Sequence, residues 1–552
     1  MRTTFLLLAV LVLVFAGCKN QANPFGFLNS CPQGGKCDEG RSPGEGSSEA
    51  GQIITEAGPL WDADVTMLIY AANDDRSKKL VDSFHEDALE WQHGLGGSSM
   101  FRILVERDYA KEADGTAPPS ERYGLYRETP FNPETHKLGS TMTLGETDSS
   151  DPERLKEFLV YGIRKFPARV YWVIITGHGD SWNGAAFDAT TGSDKRMSLL
   201  GMQQAFQAAS DVIRNEIRPR LKGNFPSNKI DVVQFDTCRL GAIEAAAAFS
   251  DSVDYVIGSQ EKMPNAGHPY SSLRMLAQNH TAKAPWNIVK EVVTAYVLAY
   301  VEGVSTVNRG YVGTTVSSVG LDLNQLVPLL TALGKLKDEV IEEREAGFTC
   351  QEVKAIGEEA AGRAGLEDYQ GGRSPLRDAE SATQAEEILA QDGGRATEAA
   401  KASIDLVSLL YVLSNPETVH VSDKVKQAAA HALDVIGRPN DSSTGFGGRY
   451  RKIVSFNPRN NSAEKSPFVV EAHTITENGE QASGLSILWG DPYELLFKKN
   501  GLTPLDTYRD QPFHEKTGWL EIMRHCIQKT KDCLEWSPDP SNPEAQNPCK
   551  EL

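Results

Sequence analysis

After the first 16 residues the chain has no apolar run long enough to cross a bilayer as a helix, which excludes a multi-span helical membrane protein. Positive charge is in short supply: 56 Lys and Arg stand against 75 Asp and Glu, for a net charge of −19 and a pI near 5.2. An acidic chain without a basic stripe excludes nucleic acid as a partner. Cysteine is sparse, with eight in 552 residues, and no close CxxC pair has His ligands nearby. That argues against a structural zinc site built from the late cysteines. No loop spaces its oxygen side chains as known calcium motifs do, so spacing alone assigns no cofactor. No internal repeat is visible, which sets aside a repeat architecture.

What is present begins with a leader. Arg2 is followed by an unbroken apolar run from Phe5 to Ala16, too short to span a membrane stably and of signal-peptide length. It ends in Val14-Phe15-Ala16-Gly17-Cys18, which resembles a bacterial lipobox and predicts cleavage before Cys18 and lipidation of its thiol. The competing reading is an ordinary signal peptide with an incidental Cys. Lys19 after that Cys is compatible with outer-membrane sorting, so the expected place is the bacterial cell envelope, at the outer membrane or cell surface. A chain that leaves the cytoplasm can hold disulfides. Apart from Cys18 and Cys238, six cysteines remain, enough for up to three bridges. Cys31 with Cys37, and pairs among Cys526, Cys533 and Cys549, are the local candidates.

Residues 1–17 therefore read as leader and 18–58, rich in Gly, Ser, Pro, Asn and Glu, as a flexible tether. From Val65 strands alternate with helices through residue 335, the pattern of a mostly parallel sheet covered by helices. Asp151 followed by Pro152 predicts a capped helix to about Lys165. Helices are also expected over 198–218, from Gly241 to Phe249, and over 284–301. Residues 336–400 are rich in Glu, Ala, Lys, Gln and Gly and read as a charged helical or partly mobile insertion. Residues 401–552 form a C-terminal subdomain, with helices near 404–413 and 423–436 and a late strand, Gly484–Trp489, in the main sheet or in a small second one.

Two segments carry chemistry. Tyr171-Trp172-Val173-Ile174-Ile175-Thr176-Gly177-His178-Gly179 and Ile230-Asp231-Val232-Val233-Gln234-Phe235-Asp236-Thr237-Cys238 are apolar, β-branched runs that stop abruptly. One ends in a His, the other in a Cys. Reactive groups of open parallel sheets lie at the carboxyl ends of strands. A Cys and a His delivered from two strands of one sheet are the parts of a thiol nucleophile and its base. Backbone N–H groups of Gly179 and Cys238 are candidate oxyanion donors.

These segments resemble the clostripain family of cysteine peptidases, in the clan shared with caspases, gingipains and legumains. The resemblance rests on His178-Gly179-Asp180-Ser181-Trp182 and on Phe235-Asp236-Thr237-Cys238, with support from Tyr255-Val256-Ile257-Gly258-Ser259-Gln260-Glu261, Gly267-His268-Pro269-Tyr270 and Gly484-Leu485-Ser486-Ile487. Two departures are Asp180, where a small residue is usual, and Arg239, where an apolar one is common. The resemblance implies a caspase-like fold, with Cys238 as nucleophile and His178 as general base and acid, acting through a thioester acyl-enzyme. It implies an endopeptidase that cleaves protein or peptide substrates after Arg or Lys, with Asp236 at the floor of the specificity pocket. The alternative for Asp236 is a cap on the following helix. Self-cleavage between the two motifs is implied as well, with Lys195 and Arg196 as candidate sites. Calcium is implied only by resemblance, with Asp188 and Asp194 as nearby oxygen donors. The opposing reading of the whole chain is a catalytically silent caspase-like scaffold that binds partners at the membrane through lipidated Cys18. His85 and His93 read as surface residues, and His268 as an ordinary loop His rather than a substrate contact.

Overall fold

The computed structural model describes most of residues 64–535; besides short loop breaks, the stretches not described are 110–114, 126–141 apart from two short strands, 192–194, 222–226, 301–315, 365–402, 446–451, 457–467, 477–481, and 491–503 apart from Leu496. The leader, the tether, Cys18, Cys31, Cys37, Asp194, Cys549 and residues 365–400 of the expected insertion lie outside the described residues, as does the side chain of His93.

In chain order the elements are β1 (Val65–Asn73), α1 (Lys79–Gly94), β2 (Phe101–Tyr109), β3 (Ser120–Gly124), β4 (Phe131–Asn132), β5 (Lys137–Leu138), β6 (Met142–Gly145), α2 (Pro152–Lys165), β7 (Val170–Gly177), β8 (Ala185–Asp188), β9 (Lys195–Met197), α3 (Leu199–Val212), β10 (Ile230–Asp236), α4 (Ile243–Phe249), β11 (Val253–Gly258) and α5 (Pro285–Ala299). There follow β12 (Val316–Asp322), α6 (Val327–Arg344), α7 (Cys350–Ala364), β13 (Ser403–Asp405), α8 (Leu406–Ser414), α9 (Asp423–Ile436), β14 (Asn440–Gly445), β15 (Lys452–Phe456), β16 (Val469–Thr476), β17 (Ser486–Leu488), α10 (Pro504–Arg509), α11 (Pro512–Thr517) and α12 (Arg524–Glu535).

Eleven strands form one sheet in the order β14-β15-β16-β12-β11-β10-β7-β1-β2-β3-β6. The expected α/β sheet is present. Its five central strands, β2, β1, β7, β10 and β11, are parallel, and antiparallel strands extend it at both edges. The central strands are buried on both faces, which is why they read as continuous apolar runs rather than alternating ones. Successive residues serve opposite layers: Tyr171, Val173 and Ile175 join the core under α2, α3 and α4, whereas Trp172 and Ile174 join the core under α1 and α5. Each fully buried aliphatic side chain contributes roughly 1.5–3 kcal/mol, so these runs hold the sheet centre rigidly.

Local signals account for the helix starts. Asp151 caps α2 by accepting from the Glu153 N–H, with Pro152 in the first turn. Ser198 caps α3 and Ser422 caps α9 in the same way. The helix expected to reach Arg218 is α-helical only to Val212; it widens into a π turn over Ile213–Ile217 and tightens into a 3-10 turn over Arg218–Arg220. Pro219 supplies no N–H and crowds the carbonyl four residues before it, which breaks the ladder there. The helix after Cys238 begins at Ile243, not Gly241, because Gly241 donates its N–H to the Ser259 carbonyl and Ala242 bridges to Ser486.

Residues 327–344 and 350–364 are the helices α6 and α7, whose Leu329, Leu333, Leu336, Val353 and Ile356 are fully part of the main core. The late strand lies in a small second sheet, β13-β17. Cys526 is bonded to Cys350, 176 residues away, rather than to another late cysteine, so that α12 is tied to the start of α7. Cys533 is disulfide-bonded too, and Cys238 is the free thiol among the described residues. The surface reading of His85 is wrong: it is buried on α1, with Nε2 2.9 Å from Nη1 of the buried Arg107, whose guanidinium lies over the rings of Phe84 and Tyr109. Among the described residues no helix is long and apolar enough to cross a membrane.

Candidate active site

β7 and β10 are neighbours in parallel register, with Thr176 opposite Asp236. Both chains therefore leave the sheet side by side at its carboxyl edge, where His178 and Cys238 follow. The approach is close enough to need Gly179: a β-carbon there would collide with the Cys238 carbonyl, the Leu240 side chain and Thr237 Oγ1. His178 is exposed, and Cys238 is half-buried. Cys238 Sγ accepts from the Met263 N–H at 3.4 Å. A donor on sulfur favours the thiolate, the reactive form. Arg239 is held at φ 65°, an uncommon left-handed conformation for a side chain of its size. It turns the chain sharply after Cys238, and its N–H donates to the Glu261 carbonyl.

The His loop is braced from two sides. Gly179 bridges Ala185, and the bonds of that bridge use the N–H groups of Asp180 and Ala186, leaving that of Gly179 out of the ladder. The Phe187 ring stands edge-on to His178 with centroids 5.9 Å apart. Trp182 is fully buried against Tyr508, and its carbonyl accepts from Gln511 Nε2 at 2.7 Å, so the C-terminal segment supports the loop from beneath. Asp180, the departure from the usual small residue, accepts from Asn183 Nδ2 at 2.8 Å and faces Arg196 Nη1 at 3.7 Å.

Asp236 does not cap α4. The cap position is Ala242, and no side chain caps that helix. The Asp236 carboxylate is instead buried, accepting from the Tyr270 hydroxyl at 2.7 Å and from the His268 backbone N–H. Burial outweighs these bonds and pushes its pKa up to about 6. Tyr270 also accepts from Gln234 Nε2, which the Trp172 indole N–H orients through Oε1. Gly267 covers the site at φ +57°, and a β-carbon there would stand 3.2 Å from each Asp236 oxygen. The donors that hold Asp236 are neutral, so the group keeps its capacity for a cation. His268 is a buried loop residue: it packs 4.5 Å from Tyr296, and burial pushes its pKa down to about 3, so it stays neutral.

Lys195 and Arg196 lie on β9, paired with β8 in a hairpin. Lys195 is more than half exposed and 3.0 Å from Asp148. Cleavage after either residue requires β9 to leave its partner strand first.

Sequence reasoning missed Tyr270, Glu244 and a buried acidic trio. Glu244 Oε1 accepts from the Leu488 N–H and the Tyr508 hydroxyl, each at 2.8 Å, and burial pushes its pKa up to about 7. A Glu in an Ala-rich helix carries no mark of such a role. Asp74, Asp108 and Asp188 each end or follow a strand, which is the one signal that was available.

The model of the clostripain family matches residues 91–370, half of the chain. No curated protein sequence matches significantly. Among solved structures, a secreted C11 cysteine protease from Bacteroides thetaiotaomicron, bound to an irreversible peptide inhibitor, is 15% identical with a TM-score of 0.46 over 83% of this chain and 99% of its own. An inactive zymogen C11 protease from Parabacteroides distasonis is 15% identical with a TM-score of 0.47 over 83% and 98%. A cysteine protease of B. fragilis is 17% identical with a TM-score of 0.30 over 59% and 95%.

Proposed function

Because this chain belongs to the clostripain family of cysteine peptidases, we propose that it is an endopeptidase that cleaves after Arg or Lys with Cys238 as nucleophile and His178 as its base. The observation that carries the reading is the contact of Gly179 with the Cys238 backbone at adjacent parallel strand ends, directly beyond a buried Asp236 held by neutral donors.

In this reading the Cys238 thiolate attacks the scissile carbonyl while the N–H groups of Gly179 and Cys238 stabilise the oxyanion. His178 carries the proton to the leaving amine, and a thioester remains. His178 then takes a proton from water, which attacks the thioester and frees Cys238. Asp236 pairs with the guanidinium or ammonium of the residue before the cut. Burial strengthens that pairing, because water competes little for either partner. The leader and Cys18 place the enzyme in the cell envelope on a lipid anchor, with the acidic body reaching its protein substrates across the tether. Self-cleavage after Lys195 or Arg196 belongs to the same proposal. It predicts new amino termini in the active protein and none in Cys238→Ala, whereas an active enzyme that stays one chain would remove that part.

A thiol-directed irreversible peptidyl-arginine probe tests the assignment. The expected result is one adduct per chain, found on Cys238 by mass spectrometry, with none in Cys238→Ala or in protein pretreated with a neutral thiol alkylator. Turnover of arginyl peptides without labelling of Cys238 would overturn it.

A further inference from the structure

A second carboxyl stands near Asp236, delivered by a helix rather than by the sheet. On α1, Phe84, Asp87 and Trp91 share one buried face, at the three- and four-residue spacing of neighbours on a helix. That face is clamped to the turn after Gly267. The Trp91 and Tyr270 ring centroids are 4.7 Å apart, Glu90 accepts from the Ser271 N–H at 3.0 Å, and a β-carbon at Gly94 would stand 3.2 Å from the Tyr270 carbonyl oxygen. Tyr270 donates its hydroxyl to Asp236 at 2.7 Å. Asp87, one turn before Trp91, is brought to the same hydroxyl. Burial, and then the charges of Asp236 and Asp87, hold that phenol well above its ordinary range.

Asp87 is 7% exposed and accepts no hydrogen bond among the described residues. Burial first, then the charge of Asp236, raises its pKa well above the carboxyl range, and Glu90 and Glu86 add to the rise. Asp87 therefore keeps its proton when Asp236 ionises, and the pair carries one negative charge, the match of one cationic side chain. A buried acceptor left unpaired is costly, so packing alone does not account for Asp87. A further unpaired group lies on α5. Tyr296 is fully buried and its hydroxyl has no partner. Burial raises its pKa well above the ordinary value, with Tyr300, Asp236 and Cys238 adding to the rise, so this hydroxyl stands among the pocket carboxylate and the nucleophile.

We propose that Asp87 is a specificity residue, whose carboxyl oxygen accepts from the far end of the substrate's basic side chain while Asp236 supplies the charge, so that the pocket selects Arg over Lys. This rests on the peptidase assignment proposed above. The acceptors arrive from separate elements: Asp236 from the end of β10, Asp87 from α1 and the Tyr296 hydroxyl from α5. A guanidinium carries five donors in one plane and spreads them over several edges, so it meets separated acceptors at once. An ammonium is a compact, strongly hydrated point charge. Seated on Asp236, it leaves the other acceptors unmet. Asp87 takes no part in the chemistry at Cys238.

The test compares kcat/KM for two peptides that differ only in Arg or Lys before the cut, using the full chain and Asp87→Ala, with melting curves of both proteins. The parent should prefer the arginyl peptide by about tenfold or more, the worth of a hydrogen bond to a charged group. Asp87→Ala should lose most of that preference, mainly by a fall on the arginyl peptide. It should also melt at or above the parent, because the carboxyl removed has no partner. A merely structural residue would instead lower the melting temperature and slow both peptides alike. A parent that cleaves the lysyl peptide as well as the arginyl one would overturn the proposal, and so would an Asp87→Ala that keeps the parental ratio. Asp236→Asn separates this failure from that of the assignment beneath it. If Asp236→Asn slows both peptides while the ratio resists Asp87→Ala, the role of Asp87 alone falls. A parent that cleaves neither peptide removes both.

Discussion

Two acidic sites share the carboxyl edge of one sheet, on either side of the His loop, and burial raises the carboxyl pKa in both. At the first, Asp236 is held by a phenol and a backbone N–H, with the buried Asp87 carboxyl close enough to be raised by it. With its pKa at about 6, Asp236 can exist uncharged and ionise when a cationic group approaches. At the second, three carboxylates meet and two oxygens lack donors. The same desolvation therefore acts on one carboxylate whose donors are in place and on two that each keep an oxygen without a donor.

The largest effect is expected between the two sites. Cys238→Ala and His178→Ala should each lower kcat/KM by about a thousandfold or more, since nucleophile and base act as a unit. Both variants should melt close to the parent, because Cys238 is half-buried and His178 exposed. Near-parental turnover by either would show that neither acidic site serves a Cys/His pair.

Next is Asp236→Asn. Loss of one partner from a buried charge pair costs about 3–5 kcal/mol, which for Arg and Lys substrates is some hundred- to several-thousand-fold in kcat/KM. Peptides with a neutral residue before the cut should lose far less. An equal loss for both kinds of peptide would make Asp236 a structural group and erase the contrast with the trio.

A smaller effect is the acid limb of the pH profile. With Asp236 at about 6 in the free enzyme, kcat/KM for basic substrates should fall about tenfold per pH unit below that value, because the protonated acid cannot pair with a cation. The linkage to stability has the opposite sign. Between about 4, where an unfolded Asp titrates, and 6, the folded chain binds the extra proton, so this group's contribution to stability declines as pH rises through that window. Activity profiles and melting curves recorded over pH 4–7 would check both directions.

The smallest effect expected is from Tyr270→Phe. Removing the hydroxyl takes one hydrogen bond from the ionised Asp236, worth about 1 kcal/mol, and should move the acid limb upward by about one pH unit. An unmoved limb would mean that Tyr270 does not hold the pocket carboxylate.

Legibility differed among these parts for physical reasons. The β7 and β10 runs were plain in the sequence because both faces of a central parallel strand are buried. The starts of α2 and α9 were plain because Asp151, Pro152 and Ser422 act within their own turn. Tyr270, which holds Asp236 across 34 residues, left no such trace. Neither did the Cys350–Cys526 bond, for which spacing pointed to nearer partners. His85 was misread because its partner, Arg107, sits on the adjoining strand. Asp188 was noticed as an oxygen donor, but its companions Asp74 and Asp108 come from strands about 110 and 80 residues earlier.

The sequence by itself determined the order of strands and helices, the ends at which His178 and Cys238 emerge, and the acidic balance of the surface. These follow from hydrophobic period, capping and net charge, all of which act within a few residues or over the whole chain at once. Only the tertiary structure decided which strands are neighbours, and so that Gly179 meets Cys238, that Asp236 faces Tyr270 rather than a helix end, and that three aspartates from β1, β2 and β8 converge. Those outcomes depend on sheet order and on desolvation, and both exist only once distant segments have packed together.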